Sequence, residues 1–161
     1  MGVKELLKDQ RVNPSAQNNS ALISAASNGH LEVVKVLLRN DKLNISNKGN
    51  SILFIYSVTI FWFTFFSALG MITFLACENG HTTVVEELLK DERLEISSTL
   101  SAQLFYIAVS KQNNSMILSL LKDKRLDPSV NNNRLIQYAS EKNLIGNTKF
   151  PVGVTNILRY R

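Results

Sequence analysis

Apolar and polar positions follow one another along this chain at helical spacing. Val33, Val34, Leu37 and Leu38 stand at i, i+1, i+4 and i+5, which is one face of a helix. The same spacing returns at Val84, Val85, Leu88 and Leu89, and again at Met116, Ile117, Leu120 and Leu121. A shorter apolar helix with small residues at Ala25 and Ala26 precedes the first set, and Gly29 ends it. Glycine suits that place because it enters the left-handed region without a Cβ clash. Each unit reads helix, tight turn, helix, polar link. The pattern predicts helix pairs over 21–28 with 31–40, 72–79 with 82–91, and 103–111 with 114–123.

These units are copies of one another. Ala21–Ser46 and Ile72–Ser97 share 11 identical residues without a gap, including Asn28-Gly29-His30 and Asn79-Gly80-His81. Twin leucines recur at Leu7, Leu38, Leu89 and Leu121, giving steps of 31, 51 and 32 residues. One helix pair cannot bury both of its faces, so neighbouring pairs must stack. The polar link recurs too. Asp9-Gln10-Arg11-Val12 returns as Asp91-Glu92-Arg93-Leu94 and as Asp123-Lys124-Arg125-Leu126.

Asn28-Gly29-His30-Leu31-Glu32-Val33-Val34-Lys35-Val36-Leu37-Leu38 resembles the second-helix signature of ankyrin repeats, whose period is about 33 residues. The link resembles that of a divergent ankyrin subclass, in which it replaces the Gly-Ala finger. The chain departs from the family in two places. Ser20-Ala21-Leu22-Ile23 stands where the Thr-Pro-Leu-His opening belongs, and Lys111-Gln112-Asn113 replaces Asn-Gly-His in the third unit. The resemblance implies an all-α, ankyrin-like helix-pair solenoid of three to four repeats, acting as a non-catalytic protein-interaction module.

The register breaks once. The 51-residue step holds 20 residues too many, and the excess lies within Ser51–Ile72. The run from Gly49 to Cys77 carries no charge and holds the only tryptophan and six of the eight phenylalanines. About 20 apolar residues is the length that spans a bilayer. Ile52–Ile72 is therefore a candidate transmembrane helix that interrupts the array and associates the protein with a membrane. Two other readings stand beside it: an apolar excursion packed against the repeats or a partner, and sequence foreign to the array. With the first reading, Lys35, Arg39, Lys42 and Lys48 place residues 1–50 on the cytosolic side. The acceptor Asn113-Asn114-Ser115 would then be open to glycosylation on the far side. Topology opposes a span, since it would separate the first repeat from the others. The organisation expected is a partial repeat plus the first full repeat over 1–46, the insert over 51–72, and repeats two to four over 73–161, the last degraded. In that last repeat Leu135, Ile136 and Ala139 match the first helix. Residues 1–15 read as the tail of a preceding repeat, either truncated or serving as a cap.

Composition changes this picture little. At 161 residues, one domain is expected. The net charge of +5 is uneven: +2 over 1–46, +1 over 47–77, −2 over 78–129 and +4 over 130–161. The basic tail, with Arg134, Lys142, Lys149, Arg159 and Arg161, reads as a solubilising surface rather than a nucleic-acid interface. The single cysteine, Cys77, replaces Ala26 of the repeat and is expected to be buried; it forms no intrachain disulfide and fits a reducing compartment. The N-terminus has no apolar leader segment. His30 and His81 occupy equivalent turn positions, which points to structure rather than catalysis. No phosphate loop, nucleophile elbow or ligand spacing for a metal occurs, so no cofactor and no catalytic residue is expected. An unknown protein partner is expected to meet the Asn-rich tips, Asn18 and Asn19, and Asn131 and Asn132. Such asparagines are first of all turn formers.

Overall fold

A computed structural model describes residues 2–45 and 67–129 of the chain. All regular elements there are helices: α1 (Val3–Leu6), α2 (Ala16–Ser27), α3 (Leu31–Leu38), α4 (Ala68–Glu78), α5 (Thr82–Leu89), α6 (Ser98–Ser110) and α7 (Asn114–Lys122). Each predicted pair is present, and the first helix of each begins four or five residues earlier than its apolar pattern. Serine explains two of these starts. Ser67 accepts a hydrogen bond from Gly70 N at 3.2 Å, and Ser97 accepts one from Leu100 N at 3.1 Å, each taking up an N–H that a helix start leaves unpaired.

The turn between paired helices is built the same way three times. His30 N donates to Ala25 O at 2.8 Å and Gly29 N to Ala26 O at 3.2 Å. His81 N to Ala76 O (2.9 Å) with Gly80 N to Cys77 O (3.0 Å), and Asn113 N to Ala108 O (2.9 Å) with Gln112 N to Val109 O (2.9 Å), repeat the arrangement. This closure requires a left-handed residue. Gly29 and Gly80 supply it at φ 74° and 78°. Gln112 supplies it at φ 53°, so the third turn closes without its glycine. There Asn113 Oδ1 accepts from Met116 N at 3.0 Å and starts α7.

The chain divides into two compact units, Met1–Glu95 and Ile96–Arg161. In the first, α2 pairs with α3 and α4 with α5; α4 packs on α2, α5 on α3, and α1 on α3. Its core holds Leu22, Ala25, Ala26, Val34, Leu37, Leu69, Ile72, Ala76, Cys77, Val84, Val85 and Leu88. All four apolar positions of α5 are buried, whereas Val33 and Leu38 of α3 are half-buried. The four-residue α1 is too short to cover them. In the second unit α6 pairs with α7 around Leu100, Leu104, Phe105, Ala108, Met116 and Leu120.

The insert needs a correction. A continuous helix over Ile52–Ile72 does not form, because Ser67 is extended (φ −64°, ψ 162°) and α4 starts afresh at Ala68. Leu69 and Ile72 belong to the core of the second helix pair and are fully buried. Residues 46–66 of the insert lie outside the described residues. Among the described residues no helix is long and apolar enough to cross a membrane. Within the first unit α4 packs directly on α2, as stacked repeats do.

Candidate functional site

Two polar side chains singled out by the repeats, His81 and Arg93, bond across to the preceding repeat. His81 Nε2 lies 3.0 Å from Ser27 O. A carbonyl only accepts, so Nε2 carries the proton and fixes the tautomer. The ring closes over the preceding glycine turn so tightly that a Cβ on Gly29 would stand 2.6 Å from His81 Nδ1. His30, the equivalent residue one repeat earlier, is exposed. Neither histidine caps its own helix with its side chain.

The link motif is a clasp. Arg93 Nε and Nη2 bond the two carboxylate oxygens of Asp91 at 2.9 and 2.7 Å, and Arg93 N bonds Asp91 Oδ1 at 3.0 Å. Asp9 with Arg11 and Asp123 with Arg125 reproduce it. The paired guanidinium holds each of these three aspartates below the usual carboxylate range. Arg93 Nη2 also donates to Leu38 O at 2.9 Å, closing a free carbonyl at the end of α3. Asp127 carries no such clasp; Ser129 bonds it instead and lowers its pKa.

The asparagine tips divide. Gln17, Asn18 and Asn19 all take positive φ (50°, 56° and 65°), so the first asparagine pair does form a turn. Asn18 is half-buried and Asn19 is 1% exposed, which leaves Gln17 as the exposed side chain of that tip. Asn19 is therefore not a surface contact in this conformation: the left-handed turn directs it inward. Asn131, Asn132 and the basic tail from Arg134 to Arg161 lie outside the described residues.

Sequence reasoning missed Tyr106. It stands on α6 between the buried Phe105 and Ile107 and is 70% exposed, by far the most exposed large apolar side chain among the described residues. The signal was available: α6 carries apolar residues all round, and Tyr106 falls outside the buried set at Leu104, Phe105, Ala108 and Val109. Among the described residues no group of three or more His, Cys, Asp or Glu could hold a metal ion. Cys77 is buried, as expected of an alanine position.

No curated protein and no solved structure matches the chain. A family model does: the one described as ankyrin repeats (3 copies) matches residues 2–59. The match spans α1, α2 and α3, and the helix–turn–helix geometry of that stretch recurs in α4–α5 and α6–α7. The stretch from residue 2 to residue 59 is thus similar to ankyrin repeats.

Proposed function

We propose that this chain is a non-catalytic protein-interaction module of the ankyrin type, built from the divergent repeats in which an Asp-x-Arg link stands for the Gly-Ala finger. Its partner is another protein. The observation that carries the reading is the contrast between two sets of side chains. His81, Arg93 and the paired aspartates are consumed by the framework, whereas Tyr106 is held at 70% exposure by a rigid helix buried on both sides of it. Aromatic side chains are enriched where proteins meet, since a large flat apolar surface with one polar end gains much on burial.

A photo-crosslinking amino acid at position 106 tests this in cells, with position 124 of the α7-proximal link as an exposed control. The expected result is one discrete protein adduct from position 106 and none from position 124. No adduct at position 106, or equal labelling at both, would sink the reading. Turnover of a small substrate that disappears in His30→Ala/His81→Ala while the fold persists would replace it with an enzyme.

A further inference from the structure

The basic residue of a link reaches back to the repeat before it. Arg93 Nη2 donates to Leu38 O at the end of α3 (2.9 Å), and Lys42 Nζ donates to Gln10 O just beyond α1 (3.4 Å). Arg11 is the equivalent residue of the first link, and it bonds Asp9 alone. The second Nη2 proton, with which Arg93 holds Leu38, is idle in Arg11. The Arg11 side chain is 89% exposed, against 44% for Arg93. Leu6 is open as well. It stands at the repeat position of Leu37, Leu88 and Leu120, all of them buried, yet it is 43% exposed. So α1 and its link carry the side chains of a repeat interface, and no helix before them is seated there among the described residues.

The converse defect lies at α7. Leu121 is the repeat equivalent of Leu38, and among the described residues its carbonyl accepts no hydrogen bond. Its side chain is half-buried, whereas that of Leu89 is buried. No aspartate follows Asp127 in the sequence, so no further Asp-x-Arg clasp follows to receive that carbonyl. One arginine of the framework lacks a carbonyl, and one carbonyl lacks an arginine.

We propose that α1 and its link receive α7 of a second copy of this chain, with Arg11 holding Leu121 O of the next copy as Arg93 holds Leu38 O. Continuity with an interface already present argues for this occupant. The donor, the acceptor and the flanking leucines are those with which α5 and its link pack on α3. The contact uses different surfaces on the two copies, so copies add head to tail into rings or open chains.

Sedimentation velocity of the full chain over a range of concentrations tests this. Assembly size is expected to rise with concentration. Arg11→Ala should weaken association roughly tenfold, through loss of one charge-assisted hydrogen bond. Leu6→Asp should abolish it. Both positions are exposed, so helical melting should not change; if Leu6→Asp also unfolds the chain, Arg11→Ala decides. Mixing gives the direction. A chain with Arg11→Ala keeps its α7 end, docks on a wild-type Arg11 and blocks further growth, so adding it should shorten wild-type assemblies. A wild-type chain that stays single at every concentration overturns the proposal. So does assembly undiminished by Arg11→Ala, which is what clustering through the apolar residues 47–66 would give. Wild-type assemblies indifferent to the added variant would mean a symmetric pairing of two α1 ends, and they overturn it too.

Discussion

At the scale of single residues, Gly29 and Asp91 make opposite kinds of contribution. Gly29 is needed twice, for its φ of 74° and for the space His81 occupies 2.6 Å from any Cβ. Gly29→Ala is expected to lose roughly 1–2 kcal/mol from the left-handed backbone, with the ring clash added to it. In urea unfolding, His81→Ala in the Gly29→Ala background should cost less than His81→Ala alone, because the clash is relieved. Equal costs would mean that the ring moves aside freely. Asp91 contributes through charge. Its carboxyl is held below the ordinary value by the Arg93 guanidinium, so the folded state binds its proton less readily than the unfolded chain does. The stabilisation is complete above the unfolded value of about 4 and is lost as pH falls from there through the depressed folded value. Asp91→Asn should therefore flatten the acid limb of a melting-temperature profile below that pH and leave its slope near neutrality unchanged. Arg93→Lys should not restore the fork, since an ammonium is not planar.

At the scale of elements, burial separates helices of nearly identical pattern. Leu88 and Leu89 of α5 are both buried, while Leu38 of α3, the equivalent of Leu89, is only half-buried. Leu88→Ala is expected to cost about 2–5 kcal/mol, and Leu38→Ala clearly less. Leu37→Asp and Leu88→Asp should unfold their repeats, each burying a charge with no partner. Replacing the exposed Glu32 should change stability little. If all these variants melt together, the faces have been misassigned. The helix boundaries show why the apolar pattern underestimated α4 and α6. Serine caps extend each helix by about one turn ahead of its first regularly spaced apolar residue, and caps follow hydrogen bonding rather than hydrophobic period.

At the scale of the whole molecule, the uncharged insert poses the sharpest question. Deleting 20 residues would restore the 31-residue step, and the core of α4 fixes where the cut belongs. Leu69 and Ile72 are core residues of α4, so the excision must stay within 47–66. That deletion is expected to preserve cooperative melting of the first unit and the Gly29–His81 contact. A cut reaching Leu69 should abolish it. Loss of folding in the shorter deletion would show that the insert supports the repeats.

The repeats, their turns and the buried set at Val34, Leu37, Val84 and Leu88 were legible in the sequence, because each follows from a local period or from one residue's backbone freedom. So was the burial of Cys77, which repeat equivalence alone indicates. Tertiary structure decided the rest. The ring of His81 reaches 54 residues back to Ser27, and Arg93 reaches 55 residues back to Leu38, distances at which no periodicity speaks. The exposure of Tyr106 depends on what α6 packs against. The left-handed backbone of Gln17–Asn19 is likewise not signalled by any glycine in the sequence. A run of 29 uncharged residues looked like one segment, yet packing of α4 on α2 claims its last part for the core, because burial against a neighbouring helix and burial in a bilayer ask for the same side chains.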